Sequence, residues 1–220
     1  MITKALAQNG AKKIYIIGRR KEKLDEAAKE FAVNENIVPI EGDITSQDSL
    51  SAIAKQIEDD TGYINLLVAN AGIMGPKIRP PLDPAKCSLD EFVEHAWKTP
   101  MEDFTHTYEV NVTGVYYSVL AFLKLLDAGN KGNNRFREGV SSQVVGVSSI
   151  AGYSRLRGAS FAYNSSKAAL THLMKHLSTW CGRWDVRCNV ISPGSMSSLG
   201  LSHHFMIPIP LPNPDDEDDG

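Results

Sequence analysis

The feature that most constrains this chain is a recurrence: five short segments of strand length, most of them runs of apolar residues, each followed at once by polar residues or a glycine turn. Ile14–Ile17 is followed by Gly18 and Arg19, Ile37–Ile40 by Gly42 and Asp43, and Ile64–Ala69 by Asn70. Val144–Val147 leads to Ser148 and Ser149, and Val186–Ile191 to Pro193 and Gly194. Between the runs, apolar residues return at helical spacing, as at Leu24, Ala28 and Phe31 and at Leu50, Ile53 and Ile57. Strands that alternate with helices form βαβ units, so the expected fold is α/β, a doubly wound parallel sheet of the Rossmann-like kind. In such sheets ligands sit beyond the carboxyl ends of the strands. Arg19, Asp43, Asn70, Ser149 and Pro193-Gly194 are therefore expected along one edge, and that edge is the expected site.

Helix boundaries carry their own signals. Met1–Gly10 reads as a helix closed by Asn9-Gly10. Thr45-x-x-Asp48 and Ser88-x-x-Glu91 have capping-box spacing, and Thr99-Pro100-Met101-Glu102 suggests a threonine N-cap with proline at the first helical position. The helix that opens there is expected to run through Asn111 to about Leu126. Asn111-Val-Thr-Gly114 is a poor helix former, so a kink with freed backbone groups is expected at that point. The run Val115–Leu126 is apolar nearly all round and calls for cover on both sides.

The stretch Ser148–Lys167 carries the chemistry. Tyr163 and Lys167 stand four residues apart, one turn apart on one helix face, and Leu170, Met174 and Leu177 continue that face inward. An ammonium on an inward stripe is costly to desolvate unless something uses it. A cation close to a phenol favours the phenolate and moves its proton affinity toward the range useful at neutral pH. Ser149, at a strand end, can aim its hydroxyl at the same point. The three suit proton transfer to or from a carbonyl or alcohol oxygen.

In order and spacing, Asn70-Ala71-Gly72, Asn111-Val-Thr-Gly114, Ser148-Ser149, Tyr163…Lys167 and Pro193-Gly194 resemble the short-chain dehydrogenase/reductase family, over residues 1 to about 198. The resemblance implies that Tyr163 is the proton donor or acceptor. It implies that Lys167 lowers the phenol's pKa and holds the nicotinamide ribose, that Ser149 orients the substrate oxygen, and that Asn111 anchors a proton-relay water. Ser148 is then a structural neighbour. By the same resemblance Asp43 and Ile44 hold the adenine ring, Asn70, Ala71 and Gly72 close the pocket near the ribose, and Pro193, Gly194 and Ser198 meet the nicotinamide end. The strand that would bear a ribose-binding acid ends instead in Gly18-Arg19-Arg20, with no acid before Glu22. A guanidinium bonds a 2′-phosphate that a carboxylate would repel, so NADP(H) is expected over NAD(H), with Arg19 the main contact.

The chain also departs from the family pattern. Its first helix is the one that would follow the family's glycine-rich turn, and the substrate-loop helix and last strand are not recognisable after Gly194. The expectation is a fold truncated at both ends, with two half-sheets where a central strand would join them. Residues 1–198 read as one domain. Residues 199–220, with Pro208, Pro210, Pro212 and Pro214 and then five acids, read as a disordered tail.

Composition narrows the alternatives. The net charge of −3 becomes about +2 without Asp215–Asp219. No basic stripe appears, so a nucleic acid is not the expected partner. No apolar run is long enough to span a membrane. Cys87, Cys181 and Cys188 fit no metal spacing and read as reduced thiols of a cytoplasmic protein. His172 and His176 lie at helical spacing beside Lys175 with no carboxylate between them, which reads as a solvated face rather than a metal site. His203-His204 reads likewise.

The leading expectation is an NADP(H)-dependent oxidoreductase interconverting a ketone and a secondary alcohol. It is expected to act on a small molecule as a homo-oligomer through the 101–127 and 163–181 helices. The alternative is a non-catalytic member acting only by association with full-length subunits. An S-adenosylmethionine-dependent transferase also uses strand-end sites, but has no need of the Ser149, Tyr163 and Lys167 set.

Overall fold

The computed structural model describes residues 2–33, 35–76, 86–154 and 160–194. Ser198 and the expected tail lie outside the described residues.

Each of the five segments forms a strand: β1 (Ile14–Gly18), β2 (Ile37–Glu41), β3 (Leu66–Ala69), β4 (Gln143–Val147) and β5 (Arg187–Ile191). The pairings between these five strands are parallel. The strands form a two-stranded sheet, β1-β2, and a three-stranded sheet, β3-β4-β5, so the expected split into half-sheets is present among the described residues. Pro39 stands inside β2 opposite Ile16. Lacking an N–H, proline suits an outer strand, and β2 pairs only with β1.

Among the described residues, seven α-helices flank the sheets: α1 (Ile2–Gln8), α2 (Lys21–Phe31), α3 (Gln47–Asp60), α4 (Leu89–Trp97), α5 (Met101–Tyr108), α6 (Gly114–Ala128) and α7 (Phe161–Cys181). Two of the expected caps moved. Thr45 gives its hydroxyl and its N–H to Asp43, so the α3 cap passes to Ser46, whose Oγ accepts the Ser49 N–H at 3.2 Å. Thr99 closes the turn after α4 through its N–H to the Ala96 carbonyl. Pro100 is left as the N-cap of α5, with no side-chain hydrogen bond. The Ser88–Glu91 capping box forms in full.

The irregularity expected at Asn111 is a π-helical turn, Glu109–Thr113, between α5 and α6. The Gly114 N–H reaches back five residues to the Glu109 carbonyl. The extra residue in that turn keeps the chain helical while shifting the face it presents.

Three apolar clusters hold the elements. One joins Ala7, Ile14 and Ile37 beneath α1 and α2. A second joins Leu50, Ile53 and Ile57 of α3 to Phe122 and Leu125 of α6, with Ile17 and Val38 on one sheet and Leu67 on the other packed against it. A third packs Val115, Val119 and Leu126 of α6 with Val144 and with Leu170, Met174 and Leu177 of α7. The all-round apolar character of α6 is thus explained largely within the chain, since it serves two clusters. A row at Tyr116, Leu120 and Lys124 remains exposed.

Phe122 stands where the two sheets share a core. Phe122→Ala should therefore cost about 3–5 kcal/mol, read as a lower urea midpoint with far-UV dichroism retained before the transition.

Candidate active site

The site gathers where β3, β4 and β5 end. A cavity of about 240 Å³ is lined by Asn70, Gly72, Met74, Ser149, Tyr163, Lys167, Pro193 and Gly194, among others. Ser160 caps α7 by accepting the Tyr163 N–H at 3.0 Å, and it donates its own hydroxyl to the Met74 carbonyl at 3.0 Å. One serine thus starts the helix two residues earlier than expected and ties it to the loop after β3. The pattern Ser160-x-x-Tyr163 was the available signal, since that is N-cap spacing.

Lys167 follows one turn after Tyr163 and is only 4% exposed. Its Nζ donates to the Val147 carbonyl at the end of β4, at 2.7 Å, and lies 5.7 Å from the Tyr163 ring centroid. Burial holds its pKa below the ordinary lysine value. Ser148 is structural, as expected: its Oγ bonds the Lys167 carbonyl and the Thr171 hydroxyl, each at 2.8 Å. Ser149 lines the cavity, and its Oγ accepts the Ala151 N–H at 3.1 Å.

Two glycines make this packing possible. A Cβ on Gly72 would stand 3.1 Å from Asn111 Oδ1 and 3.2 Å from Lys167 Nζ, so the backbone after β3 lies directly against both groups. A Cβ on Gly152 would meet the α7 backbone at 2.8 Å. The turn after Ser149 therefore rides on the backbone of Lys167 and Ala168.

Asn111 is fully buried. Its Nδ2 donates to the Ile73 carbonyl at 3.0 Å and to Ser166 Oγ at 2.9 Å, while its Oδ1 accepts the Ile73 N–H at 2.8 Å. Both amide protons are used inside the protein, and the oxygen keeps one lone pair. The side chain fixes the loop after β3 to α7. Ser166 completes the clamp by donating to the Tyr163 carbonyl at 2.8 Å. Ser166 carried no local signal, because a serine inside Tyr-x-x-x-Lys reads as filler.

The remaining expected residues lie at the ends of the other strands. Arg19 is exposed after β1. Asp43, after β2, has its carboxyl held below the usual range, chiefly by the Thr45 N–H, then by the Thr45 hydroxyl, with smaller pulls from Arg19 and His106. Ile44 packs toward Gly114 at the start of α6. Asn70 and Ala71 are exposed at the end of β3. Pro193 accepts the Ile150 N–H at 3.1 Å, which ties the end of β5 to the Ser149 turn. Arg19, Asp43 and Ile44 thus follow one sheet, and the proton-transfer residues follow the other. No group of three metal-ligating side chains occurs among the described residues.

The short chain dehydrogenase family model matches residues 1–202. The chain belongs to that family. Its members are oxidoreductases that bind a nicotinamide cofactor. It is 46% identical over 198 residues to the short-chain dehydrogenase/reductase PhomF of Diaporthe leptostromiformis, covering 88% of this chain and 64% of that protein. It is 40% identical to the short-chain dehydrogenase/reductase VdtF of Byssochlamys spectabilis, covering 93% of this chain and 72% of the relative. The chain therefore spans roughly two thirds of the length of these curated relatives. Among solved structures, the RhlG/NADP active-site complex of Pseudomonas aeruginosa matches with a TM-score of 0.72 at 24% identity, covering 89% of this chain and 67% of that one. An NAD+-bound xylitol dehydrogenase matches with a TM-score of 0.68 at 23% identity, over 87% of this chain and 64% of the other. At such identities the likeness shows the shared fold. No helix among the described residues is long and apolar enough to cross a membrane.

Two predictions follow from the packing around Lys167. Its folded-state pKa lies below the unfolded value of about 10.4, so its charged form is penalised at neutral pH and stability from this group rises with pH across that interval. Lys167→Met should accordingly leave the ligand-free chain at least as stable as wild type at pH 7, with any advantage shrinking toward pH 10. Urea titrations at several pH values measure this. Gly152→Ala should push the Ser149 turn off α7 and lower turnover more than stability, a split that parallel rate and unfolding measurements detect.

Proposed function

We propose that the chain is an NADP(H)-dependent oxidoreductase interconverting a ketone and a secondary alcohol, with Tyr163 moving the proton. The observation that carries this reading is the burial of the Lys167 ammonium one turn from Tyr163, within a cavity that also receives Ser149. A cation this desolvated exerts a strong field on its neighbours. It is placed to stabilise negative charge that develops at the phenol oxygen while the proton is being transferred. Ser149 presents a hydroxyl to the substrate oxygen, which Tyr163 protonates in reduction and deprotonates in oxidation. Asn111 and Ser166 hold the loop after β3 and the first turns of α7 in one geometry. If a relay water is used, it meets the remaining lone pair of Asn111 Oδ1 or the backbone freed by the π-helical turn.

The cofactor supplies or accepts a hydride when bound. The residues present fit it at both ends. Gly72, with no room for a Cβ, lets the backbone pass close to Lys167, which is placed to hold a ribose hydroxyl. Asn70, Ala71, Pro193, Gly194 and, outside the described residues, Ser198 complete the nicotinamide end. Asp43 and Ile44 take the adenine end, and Arg19 takes the 2′-phosphate, for which its exposure and the absence of an acid before Glu22 both speak. RhlG, known in complex with NADP, is one fold relative that accords with this choice, while the NAD+-bound xylitol dehydrogenase stands as the counterexample.

A second reading, association with further subunits, is favoured by the outward row of Tyr116 and Leu120 on α6 and by Trp180, 62% exposed, on α7. These helices are the proposed homo-oligomer surface. The two readings are compatible, and sedimentation at varied concentration tests the association by itself.

Tyr163→Phe should lower the rate of ketone reduction roughly 10²–10⁴-fold with an unchanged melting temperature. A variant that keeps a tenth of the rate would remove Tyr163 from the role of general acid. Arg19→Asp should lower the preference for NADPH over NADH by at least about tenfold. A wild-type chain that already prefers NADH would overturn the cofactor assignment.

A further inference from the structure

We propose that this site takes a neutral ketone with an apolar body, and that Met74 and Ile150 are the side chains that select it. The inference rests on the carbonyl-reducing reading above and names the substrate class of that same cavity. Neither residue belongs to α6 or α7, so the selection leaves the proposed association surface untouched.

Polar capacity sets the first limit. Among the described residues, the lining carries one cation, Lys167, and no carboxylate. Lys167 already donates to the Val147 carbonyl, and the reading above assigns it the ribose. Ser148 spends its hydroxyl on α7, bonding the Lys167 carbonyl and the Thr171 hydroxyl. Asn70 belongs to the nicotinamide end in the same reading. What is left for a substrate is the Ser149 hydroxyl and the Tyr163 phenol, and both serve one oxygen. A sugar would bring further hydroxyls without partners, and a carboxylate or phosphate would lose water without gaining a counter-charge.

Carbon at the rim sets the second limit. Ile73, Met74, Val147 and Pro193 line the cavity. Met74 is 47% exposed although its backbone is fixed, since its carbonyl accepts the Ser160 hydroxyl at 3.0 Å. Ile150 is 52% exposed, and its N–H is held by the Pro193 carbonyl at 3.1 Å. Its Cδ1 lies 3.6 Å from where a Cβ on Gly194 would stand, on the β5 side of the cavity. Met74 follows β3, so the two apolar side chains lie on either side of Ser149, which follows the central strand β4. Uncovered apolar side chains on an anchored backbone gain by meeting ligand carbon, and a few placed polar groups then fix its orientation. The flexible thioether of Met74 adapts to an irregular or aromatic body.

NADPH-dependent reduction of β-tetralone, acetoacetate and dihydroxyacetone by the full chain tests the class, beside calorimetric titration of β-tetralone with NADP+ present. The wild type should reduce β-tetralone with a kcat/KM at least about tenfold above that for the other two. Met74→Gln and Ile150→Ser should each raise the KM for β-tetralone at least about tenfold, with kcat and the melting temperature little changed. Each should weaken β-tetralone binding in the titration to a similar degree. An equal or better kcat/KM for acetoacetate or dihydroxyacetone, or a KM that neither substitution moves, would overturn the assignment. So would the absence of saturable β-tetralone binding, or binding that neither substitution weakens. If no ketone is reduced while β-tetralone binds and the two substitutions weaken that binding, the apolar selection stands and the oxidoreductase reading falls.

Discussion

The buried ammonium of Lys167 is the constraint on which the site depends. Taking that charge out of water is expensive, and among the described residues it is offset by a 2.7 Å hydrogen bond to the Val147 carbonyl and by the Tyr163 ring, 5.7 Å away. That bond joins the second turn of α7 to the carboxyl end of β4, where the cavity opens. Around it the packing leaves little freedom. Gly72 lies against the ammonium without space for a Cβ, Gly152 lets the Ser149 turn rest on the helix backbone, and Ser148 ties the strand end to the Lys167 carbonyl. A charge that costs stability where it sits is thus held by contacts that cannot easily shift, which is what the role proposed for Lys167 requires.

Asn111 provides the second fixed point. Its side chain takes both the N–H and the C=O of Ile73 and reaches Ser166, so it ties the loop after β3 to α7. The π-helical turn is the local irregularity that accompanies this arrangement. It sits between two regular helices and bears the buried Asn111 at its centre. A regular helix through Glu109–Thr113 would rotate every following residue of α6 relative to α5, and α6 already serves two apolar clusters.

Binding of a dinucleotide would engage residues of both sheets. Arg19 and Asp43 belong to β1 and β2, Lys167 and Ser149 to the half built on β3, β4 and β5. What joins the halves is side-chain packing through α3 and α6 around Phe122, not a continuous hydrogen-bonded ladder among the described residues. Apolar packing is strong but non-directional. The relative placement of the two ends of the site therefore depends on the fit of this core more than it would in an unbroken sheet.

Much of this was legible from residues alone. The positions of all five strands, the edge on which the polar residues gather, the inward face of α7, the structural role of Ser148 and the break at Asn111 follow from apolar periodicity and from local backbone preferences, which depend on nearby residues. The same local rules misplaced the caps at Thr45 and Thr99, because each threonine had a competing partner in space or in the preceding turn. They could not show that the Asn111 amide is spent on Ile73 and Ser166, or that Ser160 reaches Met74. Neighbouring residues were enough to say which element carries each side chain, because strand and helix periods are local. Only the tertiary structure decided which polar atoms meet, because a hydrogen bond between positions 38 or 86 residues apart depends on ångström-scale packing that no local pattern encodes.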